Sequence, residues 1–456
     1  MTGHQRPSVK NVSKEYQIFL DKEADLIAKL RSMQIQNKQR LQQQQQAIGL
    51  MDSASDSIAF SNVSTTTIPT QYKQLETDNL IDELSLIYDI IQKEFDPEYV
   101  FVRRSKVFPV SKIQDILKDI KKYKNKDPVI VEYFIDALAD KIRIFVISSY
   151  SINIESVNIK NFNLDNKIDL YLQEISSTSS LTKANNNAND NIDEHLKLSK
   201  ELSRYLIEPI SSYISNADLI YFVPYGKLHY IPLHALLLDN KPLIIDHAVT
   251  YIPSASLLKF VKNKGTGTLN NCLSCGIVFK EEAKEVVNMF SSGSSVYMEE
   301  PTKKEFIDKI NSSNNGFDVL HLSCHGLFNK NDPMASSLLF SGAFLRAKEI
   351  LDLQLNTELV TLSACETGRN ENKPGEELVG LTRSFLYAGT PSVLVSLWKV
   401  HSETTRDIMI EFYKELKNKK VDLATALQTA QKNIMQSTEH KHPYFWAPFV
   451  LVGDWE

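Results

Sequence analysis

A chain of 456 residues with 42% hydrophobic content is long enough for a sizeable core and for two or three domains. A net charge of −5 excludes the basic surplus of a nucleic-acid binder, and four cysteines are too few for a disulfide framework, so no nucleic-acid contact is expected and each cysteine is a candidate free thiol. The N-terminus carries no apolar signal segment and the longest apolar runs, such as SVLVSLWKV from Ser392, fall short of the roughly 20 residues of a membrane span, which points to a cytoplasmic protein without a membrane segment. Residues 1–70 read as a helix from about Lys14 to Leu41 followed by a flexible low-complexity linker. Tyr16, Leu20, Ile27, Leu30 and Leu41 suit a coiled-coil seam, which suggests self-association through 14–41, but Glu23, Gln34 and Asn37 interrupt it and leave a solvated helix as the alternative. Residues 71–125 form a helical region, with apolar residues three and four apart in IDELSLIYDIIQKEF and SKIQDILKDIKKY. The period then changes, and PVIVEYFI (Pro128–Ile135) and IRIFVI (Ile142–Ile147) read as a strand pair opening a segment that runs over 126–262. Within it, Ser176–Asn191 is too poor in apolar residues to repay ordering and reads as a disordered insertion. Ala217–Leu238 reads as a strand, a glycine turn and a second strand opening a helix. From 263 to 456 strands and helices alternate, the grammar of a mostly parallel sheet between helices.

Two apolar runs in that second half end in reactive side chains. HLSCHGLF starts at His321 and LSACETGR at Leu362, so His325 and Cys365 each close a strand. In open α/β sheets functional groups collect beyond the carboxyl ends of the strands. If the two strands are neighbours, an imidazole stands beside a thiol, able to take its proton and later return it to a leaving amine. The backbone N–H groups of Gly326 and Cys365 are candidates for holding the oxyanion of a tetrahedral intermediate. Taken by residue type alone, His325 reads more readily as a satisfied structural histidine and Cys365 as a buried thiol than as a catalytic pair. His321 and Cys324 read as core residues or as supports of the base, and His321 is too far along an extended strand to share a metal with His325. Cys272 and Cys275 fall on opposite faces of a strand and lack a second pair to complete a zinc site. With no phosphate-binding glycine motif either, neither metal nor cofactor is expected.

The stretches HLSCHGLFNKNDPMASSLLFSG, LVTLSACETG, GEELVGLTRSFLYAGTPSVLVSLWKV and HPYFWAPFVLVGDW resemble the CHAT family of caspase-like domains related to caspases and separases, and FVPYGKLHYIPLHALL and YIPSASLL extend the resemblance over about Ser111 to Glu456. The resemblance implies a caspase-like α/β/α sandwich around a mostly parallel sheet, whose first half (126–262) resembles a pseudo-protease and whose second half is catalytic. It implies a thiol endopeptidase that cleaves a protein substrate through a thioester acyl-enzyme, with His325 as base and Cys365 as nucleophile. An activating partner or ligand is expected as well, because an unregulated protease would be hazardous. The competing reading is a catalytically silent caspase-like adaptor. In separases an acidic residue after the strand-end tryptophan reads arginine in the substrate. Here that segment is Trp398, Lys399, Val400, His401, Ser402, Glu403, so the pocket candidates Trp398, Lys399, His401 and Glu403 predict a preference for uncharged residues over Arg or Lys.

Overall fold

The computed structural model describes residues 13–23, 25–30, 32–33, 70–94, 108–181, 190–262, 269–291, 293–313, 316–327, 333–353, 355–363, 365–366, 376–398 and 400–456. It divides into two compact units, Met1–Lys106 and Val107–Glu456. In the first, residues 14–23, 25–30 and 32–33 are helical (α1) and Thr70–Glu94 forms α2. Tyr16, Leu20 and Leu26 are buried in one cluster with Ile87, Tyr88 and Ile91. The interrupting Glu23 is itself buried, accepting a 2.9 Å hydrogen bond from the Tyr88 hydroxyl, so Tyr16, Leu20 and Glu23 already have partners within their own chain, while Ile27 and Leu30 of the expected seam are half-buried. Residues 34–41 of the expected helix and the glutamine run lie outside the described residues.

The second unit is built on an eleven-stranded sheet among the described residues. Its strands are β1 (Pro128–Asp136), β2 (Lys141–Ile147), β3 (Ile152–Asn158), β4 (Leu219–Val223), β7 (Ala248–Tyr251), β8 (Cys272–Gly276), β9 (Val296–Glu299), β10 (Val319–Ser323), β14 (Leu359–Leu362), β16 (Ser392–Ser396) and β17 (Phe449–Gly453). A two-stranded pair, β5 (Leu237–Leu238) and β6 (Lys241–Pro242), stands apart. The order is β3-β2-β1-β4-β7-β17-β16-β14-β10-β8-β9. Pairing is parallel except where β1, β2 and β3 form a meander and where β17 runs against β16. Every residue of β4, β7, β8, β10, β14 and β16 is buried, which requires cover on both faces and gives the three-layer α/β architecture that the alternation predicts. That cover includes α3 (Val110–Lys124), α4 (Leu164–Leu181), α5 (Asp190–Leu206), α6 (Lys280–Asn288), α7 (Lys303–Ser312), α8 (Glu376–Ala388), α9 (Ser402–Lys414), α10 (Leu423–Met435) and the short α11 (Pro443–Trp446). The last strand, β17, lies between β7 of the first half and β16 of the second and so makes one continuous sheet of both.

Two local expectations are corrected, and one strand is added. The helix α4 runs through the serine-rich start of the proposed insertion to Leu181 and α5 begins at Asp190, leaving only 182–189 outside the described residues. Serines 176, 177, 179 and 180 are thus carried by a helix whose earlier turns bury Ile168, Tyr171, Leu172 and Ile175. Beyond β4 the chain turns through 3₁₀ segments at Gly226–Tyr230 and Leu233–Ala235 instead of a second full strand and a helix, with Gly226 in the left-handed region (φ 55). The edge strand β3 has no counterpart in the sequence reading, because INIESVN is exposed on one face, half-buried on the other, and shows no apolar stripe.

Candidate active site

The two strands do not end on His325 and Cys365; each stops earlier and the chain starts again. In β10 the ladder closes at Ser323, whose carbonyl accepts the N–H groups of Ile277 and Val278 (2.8 and 3.0 Å) and whose hydroxyl oxygen accepts that of Phe279 (2.8 Å). In β14 the N–H of Ser363, just past the strand, reaches the carbonyl of Leu322 at 3.0 Å. His325 then opens β11 (His325–Leu327) and Cys365 opens β15 (Cys365–Glu366), both in a second sheet of order β13-β12-β11-β15. Its remaining strands are β12 (Ser337–Phe340) and β13 (Ala343–Arg346).

The pairing of these short strands brings the two residues together. Strands β11 and β15 run parallel with His325 opposite Cys365 and Gly326 opposite Glu366. Neighbouring strands lie about 4.8 Å apart, so the two backbone positions are adjacent. On its other side β11 pairs with β12, where His325 faces Leu339 and buried Gly326 faces Leu338. The His325 ring is half-buried, and its Nδ1 finds no hydrogen-bond partner among the described residues. A buried ring nitrogen without a partner carries a desolvation cost, the kind of cost that functional groups tolerate.

The pocket candidates are more dispersed. Trp398 is buried, its indole N–H donating to the Tyr444 carbonyl at 3.2 Å, which makes it a strut between the end of β16 and α11. Lys399 lies outside the described residues. His401 precedes α9, half-buried, with its ring 5.6 Å from Phe445 and 6.1 Å from His440. Burial pushes its imidazole below the usual range, and neighbouring His440 pushes it the same way while Glu403 opposes. Glu403 itself is exposed in the first turn of α9.

Two buried polar clusters escaped sequence reasoning. In the first, Glu174 of α4 holds His195 of α5 (Nδ1 to Oε2, 2.9 Å) and His442 before α11 (Nε2 to Oε1, 3.1 Å). Among the described residues these three alone have a composition suited to a metal ion. Their bonding does not suit one. The Tyr444 N–H donates to His442 Nδ1 at 3.1 Å, which fixes the hydrogen on Nε2, the atom that a metal at Glu174 would need bare. The Ser199 hydroxyl lies 3.0 Å from His195 Nε2, so both rings are satisfied as neutral donors to a carboxylate. Burial raises the Glu174 carboxyl, but the two histidine hydrogen bonds outweigh it and hold the group down to about 2. The trio is a clasp between the α4–α5 pair and the C-terminal segment. In the second cluster, His321 in β10 bonds Glu282 of α6 (Nε2 to Oε1, 3.1 Å) and the Tyr413 hydroxyl of α9 (Nδ1, 3.3 Å), and that hydroxyl lies 2.7 Å from Thr361 Oγ1 in β14. Separations of 21 to 268 residues, from Glu174 to its two histidines and between the bonded members of the second cluster, leave no local pattern in the sequence.

The family model of the CHAT domain matches residues 196–271 and 277–454, spanning all three chain segments that carry His325, Cys365 and the pocket candidates. The chain belongs to the CHAT domain family. Tetratricopeptide repeat protein 28 of Homo sapiens is 38% identical over 109 residues, a match that spans 24% of this chain and 4% of that protein; the Mus musculus protein matches to the same extent. Separase in the Saccharomyces cerevisiae separase–securin complex aligns over 85% of this CHAT chain and 34% of its own, at 11% identity and a TM-score of 0.49. The Arg-specific cysteine proteinase gingipain R aligns over 56% of this chain and 68% of its own, at 11% identity and a TM-score of 0.40. No helix among the described residues is long and apolar enough to cross a membrane.

Proposed function

We propose that this CHAT protein is a regulated, caspase-like cysteine endopeptidase with Cys365 as nucleophile and His325 as general base. The observation that carries the proposal is the parallel register of β11 and β15, which sets His325 opposite Cys365 although the sequence separates them by forty residues. The imidazole takes the thiol proton, the thiolate sulfur bonds to the scissile carbonyl carbon, and the backbone N–H groups of Gly326 and Cys365 stabilise the oxyanion. Collapse of that intermediate breaks the C–N bond as His325 returns the proton to the leaving amine, and water then cleaves the thioester with His325 again as base. No step calls on a cofactor. The protein substrate and the activating partner or ligand remain part of the proposal.

Specificity follows from the segment after β16. Exposed Glu403 and half-buried His401 give a buried guanidinium no enclosed carboxylate, which supports the preference for uncharged residues over Arg or Lys. Cleavage of a mixed peptide library by the activated protein tests both claims: products with uncharged residues before the cut, absent with Cys365→Ala, are expected. Dominant cleavage after arginine, lost in Glu403→Gln, would assign the pocket to Glu403. A library left intact under every activating condition would favour the adaptor reading, which the resemblance to a tetratricopeptide repeat protein supports.

A further inference from the structure

We propose that the buried chain Glu282–His321–Tyr413–Thr361 is a positioning network that sets the register of β10 against β14 and thereby of His325 against Cys365. The inference rests on the Cys365/His325 reading above for its functional meaning and on the sheet alone for its geometry. Strands β10 and β14 are buried on both faces and mostly apolar, VLHLS beside LVTL. Parallel strands of that kind pack nearly as well after a slip, because apolar side chains meet apolar side chains either way. Only one cross-strand pair between them is polar on both sides, His321 opposite Thr361. Four residues further along each segment stand His325 and Cys365, again opposite each other. The register of the first pair is the register of the second.

With His321 neutral, the hydrogen bonds have a consistent direction. As a carboxylate, Glu282 takes the Nε2 hydrogen of His321, which leaves Nδ1 to accept from the Tyr413 hydroxyl, whose oxygen in turn accepts from the Thr361 hydroxyl. Burial holds the Tyr413 hydroxyl well above the ordinary tyrosine range, so it stays a donor. His321 is 0% and Glu282 1% exposed, and the second oxygen of Glu282 has no partner among the described residues. An apolar filling would avoid that desolvation cost. A slip of β10 would part His321 from Glu282 and Tyr413, and a slip of β14 would part Thr361 from Tyr413, so the network penalises displacement of either strand. It also joins α6 and α9 to the two strands, which makes His321 a positioning residue acting through the backbone that carries His325.

The test uses Tyr413→Phe and Thr361→Val, which remove hydrogen bonds at nearly constant volume, and Val146→Ala in distant β2 as a control of matched stability loss. Amide hydrogen exchange at His325–Leu327 and Cys365–Glu366 reads the register without reference to catalysis. It should quicken about fivefold or more in both network variants, the factor carried by one net hydrogen bond, and not in the control. The pH profile of Cys365 alkylation by iodoacetamide reads the thiol. In the network variants it should move toward the profile of His325→Ala, and Thr361→Ser should restore it. Unchanged exchange at both strands in Tyr413→Phe and Thr361→Val overturns the network. Altered exchange with a wild-type alkylation profile already equal to that of His325→Ala upholds the network and removes the dyad instead.

Discussion

Acidification should expose the cost of His234. This side chain is buried between Tyr251, whose hydroxyl lies 3.1 Å from Nδ1, and Gln431, whose Nε2 lies 3.4 Å from the ring Nε2. Burial pushes its imidazole down to about 3. The unfolded chain protonates the same ring near pH 6.5, so between these values the unfolded state holds a proton that the folded state lacks. Stability is therefore intact above pH 6.5 and falls as the pH drops toward 3. At about 1.4 kcal/mol per unit, the step from pH 7 to pH 5 covers about 1.5 units of that window and costs about 2 kcal/mol. His229, half-buried and held down to about 4 by burial and by Arg383, acts in the same direction. Glu174 does not interfere, since a carboxyl lowered to about 2 loses its contribution only as the pH falls below the ordinary glutamate range. The assay is urea unfolding at pH 7 and pH 5 for wild type and His234→Gln, whose amide reaches the same neighbours and stays neutral. The variant should lose about 2 kcal/mol less than wild type between the two values. Equal losses in both proteins would show that His234 is not the buried base described.

Gly453 closes β17 at φ 108, and a Cβ there would lie 2.0 Å from the Pro391 carbonyl oxygen. Gly453→Ala should therefore cost more than about 3 kcal/mol and lower the melting temperature clearly, whereas an unchanged melting curve would contradict the packing. EDTA should leave peptide cleavage unaltered, because the Glu174, His195 and His442 clasp is complete through its own hydrogen bonds; activity lost in EDTA and recovered with zinc would restore a metal role.

The alternation of strands and helices after residue 263 was legible because buried parallel strands read as short apolar runs, such as LVTL and SVLVS, between helical periods. The meeting of His325 and Cys365 was legible only as far as two strand-end motifs. Where β10 closes before His325, Ser323 accepts N–H groups of residues 277–279, and where β14 closes before Cys365, the Ser363 N–H reaches the Leu322 carbonyl, contacts across forty or more residues that no local pattern encodes. The α1 helix shows the converse: Glu23 looks like a flaw in an apolar seam until Tyr88 supplies its partner. Likewise His321 reads as a bland core residue from its strand, and its meaning comes from Glu282 and Tyr413, which different helices deliver.

The central claim is that Cys365 and His325 act as one unit on a peptide bond, and hydrolysis of a cleaved peptide by Cys365→Ala, His325→Ala and the double variant tests it most directly. Each single variant should retain the wild-type melting temperature and lose cleavage by about 10³-fold or more, with the double variant no slower than the singles. Cleavage by Cys365→Ala at the wild-type rate, or losses that multiply in the double variant, would contradict the account.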